Sequence, residues 1–187
     1  MKIAVDLDGV CYEFQRTYRY MIREYRGVEM PPVSEFWTYW DAQKQFGTKA
    51  DHDWMWGGGV KKGLFRYGHM VTGARRGLEQ LQQDRHKLIV VTHRPESAVT
   101  DTLEWVSLYF KGIRLSGFHI LSSQNSKTTI PWDVLIDDKK ENIQDARAAG
   151  RQAILFSRPW NEGWDWMSTG ARRASDWEEV ANVVRSL

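Results

Sequence analysis

Five short runs of the chain are largely apolar without alternation: Lys2–Asp6, Lys87–Thr92, Phe118–Leu121, Trp132–Asp137 and Gln152–Phe156. Runs of this kind predict strands covered on both faces, as in a parallel sheet flanked by helices. Between them, apolar residues recur at helical spacing over Phe14–Tyr25, Ala74–Gln83, Glu96–Phe110 after Pro95, and Glu141–Ala149, which Gly150 stops. Ser175 and Glu178 stand at capping-box spacing ahead of a last helix. Alternating strands and helices predict an α/β fold, a doubly wound (Rossmann-like) parallel sheet. From about Cys11 to Val71 that rhythm is interrupted. Pro31–Pro32 breaks the chain, Ser34 is placed to cap a second helix holding Phe36, Trp37 and Trp40, and the glycine-rich residues 47–63 follow no regular period. The expected organisation is therefore a core of residues 1–10 and 72–187 with a small helical cap, residues 11–71, inserted after the first strand.

Two of the apolar runs end abruptly in acids. Residues 3–10 read IAVDLDGV and residues 134–138 read VLIDD. In a doubly wound sheet, ligands bind at the carboxyl ends of the strands near a topological switch point. Asp6 and Asp8, two apart, share a face of an extended segment, and Gly9 permits a turn directly after them. Asp137 or Asp138 brought alongside would crowd several negative charges into one crevice and raise their pKa values by repulsion. A hard cation resolves that conflict, and Mg²⁺ is typically held by one or two carboxylates plus a substrate phosphate. Thr92 ends a third strand with a hydroxyl, and Lys127 precedes the second acid strand.

These residues, in this order, resemble the four dispersed motifs of haloacid dehalogenase superfamily phosphatases: DLDGV at Asp6–Val10, VVT at Val90–Thr92, Lys127, and LIDD at Leu135–Asp138. The resemblance implies that Asp6 is a nucleophile forming an aspartyl-phosphate, and that Asp8 is general acid and then general base. It implies further that Thr92 donates to the phosphoryl oxygens and that Lys127 holds phosphate and nucleophile together. Asp6, the main-chain carbonyl of Asp8, and Asp137 and Asp138 would hold Mg²⁺ or its waters, with the choice between the last two left open. Ion-pumping members of the superfamily carry threonine where Asp8 stands, so the aspartate favours a phosphatase or a mutase, and the reading is hydrolase.

A closer resemblance is to the 5′(3′)-deoxyribonucleotidase family. Phe14 shortly after the first motif, the Phe36–Trp37 pair, Gly63-Leu64-Phe65 before Gly73-Ala74, and Lys127–Thr128 ahead of Ile136-Asp137-Asp138 all match its pattern. It implies an aromatic slot of Phe14, Phe36, Trp37 and Phe65 around a nucleobase, where stacking is worth roughly 1–3 kcal/mol per base. Phe36 and Trp37 are adjacent on the expected helix, so at most one stacks directly. The family usually follows its second-motif threonine with a small residue and proline, whereas here His93-Arg94-Pro95 follows. Arg94 offers either a charge-assisted contact to phosphate or a filled portion of the pocket. The resemblance also implies a homodimer.

Composition narrows the field without changing this picture. Lys and Arg number 26 against 24 Asp and Glu, a net +2 that gives no reason to expect nucleic acid or an acidic membrane as partner. The single cysteine, Cys11, excludes an intrachain disulfide and fits a reducing compartment; it is expected to be a small buried residue. MKIAVD meets a charge at Asp6, too early for a signal-peptide apolar region, and no apolar run approaches the ~18–20 residues needed to cross a bilayer. A cytoplasmic protein is expected. His52, His69, His86 and His119 show no metal-ligand spacing, and Gly57–Gly59 lacks the Lys-Ser/Thr of a P-loop. The leading expectation is a Mg²⁺-dependent phosphatase for deoxyribonucleoside monophosphates. A phosphatase for another small phosphate ester competes with it. A non-catalytic nucleotide- or single-strand-binding module is disfavoured, because binding alone needs no carboxylate aimed at phosphorus.

Overall fold

The computed structural model describes residues 1–33, 37–39 and 46–187. Six parallel strands form one sheet: β1 (Lys2–Val5), β2 (Lys87–His93), β3 (Leu115–Leu121), β4 (Val134–Asp137), β5 (Gln152–Phe156) and β6 (Arg172–Ala174), in the order β3-β2-β1-β4-β5-β6. The order reverses at β1, which has β2 on one side and β4 on the other, so the switch point lies between β1 and β4.

Both faces are buried, as non-alternating strands require. Ile3, Val5, Leu88, Val90, Val134, Ile136, Ile154 and Phe156 face one core, while Ala4, Ile89, Val91, Leu135, Ala153 and Leu155 face the other. The first core is closed by α3 (Ala74–Gln83), α4 (Val99–Tyr109) and α6 (Trp177–Arg185), the second by α5 (Lys140–Ala148). The helices expected over Ala74–Gln83, Glu96–Phe110 and Glu141–Ala149, and the last one, thus form with small shifts. The last one starts a residue later than the capping-box spacing suggests: Asp176 is its cap, accepting from the N–H groups of Glu178 and Glu179, and Ser175 bonds back to the Glu179 carboxylate.

Between β1 and α3 the chain builds α1 (Phe14–Arg26), α2 (Lys49–Trp54) and a π-helical turn (Met55–Gly59) through the glycine-rich stretch. Thr48 and Asp51 cap α2 reciprocally. This segment leaves and re-enters beside itself: Glu13 N–H donates to His69 O and Val71 N–H to Cys11 O, at 2.9 and 2.7 Å. Among the described residues, no helix is long and apolar enough to cross a membrane.

Candidate active site

The site begins where β1 ends. Asp6 N–H donates to Ile136 O at 3.0 Å, so pairing with β4 continues one residue past the strand and sets Asp6 beside the second acid pair. The chain then turns tightly, with the N–H groups of Cys11 and Tyr12 both returning to Leu7 O. Gly9 makes the turn possible. Its φ is +79°, and a Cβ there would lie 2.0 Å from Asp138 Oδ2.

Lys127 arrives from a 3₁₀ turn (Lys127–Thr129) fixed at its base by Trp132 Nε1, which donates to Lys127 O at 2.9 Å. The buried ammonium lies 2.8 Å from Asp6 Oδ1 and 2.7 Å from Asp137 Oδ2, joining the two strand ends. Asp137 also accepts from Asn142 Nδ2 on both oxygens and from Lys139 N–H, so both its oxygens are engaged. Asp138 differs. Trp160 Nε1 donates to its Oδ2 at 2.9 Å, but its Oδ1 is buried with no hydrogen-bond partner among the described residues. The Thr92 hydroxyl, buried at the carboxyl end of β2, is likewise without a partner.

One oxygen from each of Asp6, Asp137 and Asp138 falls within 4.8 Å of the others. Burial, then the charges of Asp137 and Asp6, push the Asp138 carboxyl well above the ordinary range; burial also raises Asp137, against the pull of Lys127. Burial works against the charge on Lys127, but Asp137 and Asp6 outweigh it and hold the ammonium above its usual range. Burial raises Asp8 too, although the Arg94 guanidinium opposes it. Four buried carboxylates (Asp6, Asp8, Asp137, Asp138) face two buried cations (Lys127 and Arg94), while the nearby Arg158 is paired with Glu13 at 3.8 Å. Among the described residues, with all four ionised, the surplus is two negative charges, which burial by itself opposes. That surplus, the three clustered oxygens and the orphaned Asp138 Oδ1 fit a hard divalent cation.

Asp6 and Asp8 open onto a cavity of about 640 Å³, which Arg94, Asn142 and Asp138 also line. Val99, Ile120 and Leu121 give it an apolar wall, and Trp56 borders it from the inserted segment. The expected aromatic slot is therefore corrected. Phe14, Trp37 and Phe65 are buried and do not line this cavity. Trp37 packs on Phe46 and spends its indole N–H on Pro31 O. Phe14 and Phe65 stack on one another at 5.7 Å and together back Trp56, which is 44% exposed. Phe36 lies outside the described residues, as does most of the second helix expected around it, and Trp37, Thr38 and Tyr39, which are described, are not helical. Arg94 borders the cavity with its paired donors spent on Asp8, at 3.0 and 2.6 Å, which is nearer to the second of its two expected roles, filling part of the pocket, than to the first, a phosphate contact.

Sequence reasoning missed several residues that shape the site. Asn142 steadies Asp137; Trp160 and Asn161 hold the side chain and carbonyl of Asp138; Arg158 donates to Gly9 O at 2.5 Å. Arg158, Trp160 and Asn161 follow directly after β5, and position at a strand's carboxyl end is the signal that points to them.

Comparison with known proteins agrees with this geometry. The sequence profile of the family described as "5' nucleotidase, deoxy (Pyrimidine), cytosolic type C protein" matches residues 1–187. A Chlorobaculum tepidum protein named "Putative 5'(3')-deoxyribonucleotidase" is 26% identical over 195 residues, covering 99% of this chain and 90% of that one. "Putative nucleotidase YqfW" of Bacillus subtilis is 22% identical over 167 residues, covering 87% and 83%. Among solved structures, a haloacid dehalogenase-like hydrolase from Streptococcus pneumoniae superposes with a TM-score of 0.69 at 14% identity, covering 98% and 97%, a likeness of fold. Matched along its whole length, and carrying its paired acids at the switch point of a sheet folded like that haloacid dehalogenase-like hydrolase, the chain belongs to the type C deoxy-(pyrimidine) 5′-nucleotidase family and is a phosphoric monoester hydrolase.

Proposed function

We propose that the enzyme hydrolyses deoxyribonucleoside monophosphates with the aid of Mg²⁺ through a phosphorylated Asp6. The observation that carries this reading is the placing of Asp6 and Asp8 on one cavity, with Lys127 bridging Asp6 to Asp137 and one oxygen of Asp138 left without a partner. Asp6, Asp138 and the main-chain carbonyl of Asp8 would hold the cation, and Asp137, tied down by Lys127, Asn142 and Lys139, would steady the pair. When bound, the cation offsets the repulsion between a carboxylate nucleophile and an anionic phosphate.

The chemistry of the chain's own residues then follows in two steps. An Asp6 oxygen attacks phosphorus, the bond from phosphorus to the nucleoside oxygen breaks, and the departing oxygen takes its electron pair and a proton from Asp8. Water next attacks the phosphorylated Asp6 and gives its proton to Asp8, and the acyl phosphate bond breaks to release inorganic phosphate. Lys127 and the unpartnered Thr92 hydroxyl are the donors available to the phosphoryl oxygens. Residues 11–71 act as the cap in this reading, and the nucleobase stacks on Trp56 against the apolar wall. The compartment is reducing and cytoplasmic, in keeping with the free, buried Cys11.

The test is phosphate release across 5′- and 3′-deoxynucleoside monophosphates, ribonucleotides, sugar phosphates and an aryl phosphate. EDTA-sensitive hydrolysis concentrated on deoxynucleotides is expected. Hydrolysis confined to sugar phosphates would keep the phosphatase and discard the nucleotide.

A further inference from the structure

The side chain of Arg94 is wholly out of solvent, and its engagements are unlike those of a phosphate-binding arginine. Nε donates to Asp8 Oδ2 at 3.0 Å and Nη2 to Oδ1 at 2.6 Å, a two-pronged pairing that fixes the plane of a carboxylate as well as its place. Nη1 donates to Thr102 Oγ1 at 3.0 Å, and that hydroxyl donates in turn to Ala98 O at 2.7 Å, anchoring the fork to the start of α4. Two aromatic neighbours come from the inserted segment: the guanidinium carbon lies 4.9 Å from the centre of the Tyr12 ring and 4.6 Å from that of Phe65. Tyr12 is itself immobilised, donating to Leu64 O and accepting from Gly68 N–H.

We infer that Arg94 is a positioning residue that orients the Asp8 carboxyl for its proton transfers, and that it does not bind the transferred phosphoryl group. The inference rests on the proposed phosphomonoester hydrolysis with Asp8 as acid. A carboxyl hangs on freely turning bonds, and it donates usefully only when its proton points at the leaving oxygen. The fork removes that freedom. When Asp8 carries the proton on one oxygen, the other still accepts from Arg94, so the clamp persists through both steps. The residue also ties the acid to Tyr12 and Phe65, the latter backing the Trp56 ring at the cavity.

Leaving-group dependence separates this role from the others. A nucleoside oxygen departs poorly without a proton, whereas p-nitrophenolate departs without one. With Mg²⁺ present, kcat/KM is measured for wild type, Arg94→Met, Arg94→Lys and Thr102→Val on deoxyuridine 5′-monophosphate and on p-nitrophenyl phosphate. Arg94→Met is expected to lose about 100-fold on the nucleotide and less than about 5-fold on the aryl ester. Arg94→Lys, which keeps the charge without the fork, and Thr102→Val, which frees the fork without removing it, shift the same ratio in the same sense by smaller factors. If Arg94→Met does not fold, these two carry the test. Equal losses on both esters would overturn the inference, because a phosphate contact or a purely structural role moves both alike. A wild-type enzyme inert towards both esters would overturn the reading of function beneath it as well.

Discussion

Gly9 carries two constraints at one position, a left-handed φ and a missing Cβ against the Asp138 carboxylate. Gly9→Ala is therefore expected to move Asp138 and lower kcat by about 100-fold, the scale on which misplacement by an ångström acts. Steady-state kinetics check this, and wild-type turnover would refute it. Cys11, two residues on, is buried, and burial together with Asp6 pushes its thiol well above the usual range. It is expected to resist alkylation at about pH 8 in the native enzyme and to react only on unfolding. At this scale the acids and Thr92 were legible as candidates because each stands at or just past a strand end, and Lys127 because it completes the four-motif resemblance ahead of the second acid strand. The role of each aromatic was not. Phe14 and Trp56 are alike in type, and only the fold decides that one is packed and the other borders the cavity. Nor does any spacing announce that Arg94, far along the chain from Asp8, will turn its fork upon it.

The helices α3 and α6 show how closely elements approach to hold the site. A Cβ on Gly77 would lie 2.4 Å from Trp177 Cε3 and 2.9 Å from its Cβ, so the indole could not yield by swinging its tip alone. That indole donates to Val10 O at 3.0 Å, directly beside the Gly9 turn. Gly77→Ala gains helix propensity worth about 1 kcal/mol, but overpacking of about 1–3 kcal/mol and strain on the Val10 bond outweigh it. A net loss of about 1–2 kcal/mol is expected in denaturant unfolding, and an unchanged or higher midpoint would contradict this packing. Ala74–Gln83 was legible from its helical period and Gln152–Phe156 from its unbroken apolar run. Arg172–Ala174 was not, since three residues reading RRA carry no apolar run and pair with β5 only through the backbone. The π-helical turn at Met55–Gly59 was hidden for a similar reason, its glycines having no side chains to set a period.

Across the molecule, the buried carboxyls tie the stability of this arrangement to protons, and the proposed cation would add a second dependence. Burial raises the carboxyls of Asp8, Asp137 and Asp138, so the folded state holds these protons more tightly than the unfolded chain. With the cation chelated, their contribution to stability is present below the unfolded carboxylate pKa of about 3.9 and is lost as pH rises through the raised folded values. A cation favours the ionised forms and competes with those protons. Thermal unfolding should thus show a Mg²⁺-induced rise in Tm that is small near about pH 5 and larger near about pH 7.5. A rise equal at both would mean that these carboxyls do not take part.

The α/β architecture and its switch point were legible together, because buried parallel strands and strand-end acids are written in the same short runs. The surplus of negative charge was not, since it depends on which cations the fold brings indoors. The most direct test of the whole account is the turnover of Asp6→Asn on a deoxynucleotide that the wild-type enzyme hydrolyses, with near-ultraviolet circular dichroism as the check on folding. The account predicts a native spectrum and a loss in kcat of at least about 1,000-fold, as for other covalent catalysts stripped of their nucleophile. A native spectrum with substantial turnover would remove Asp6 from the bond-forming step and contradict it.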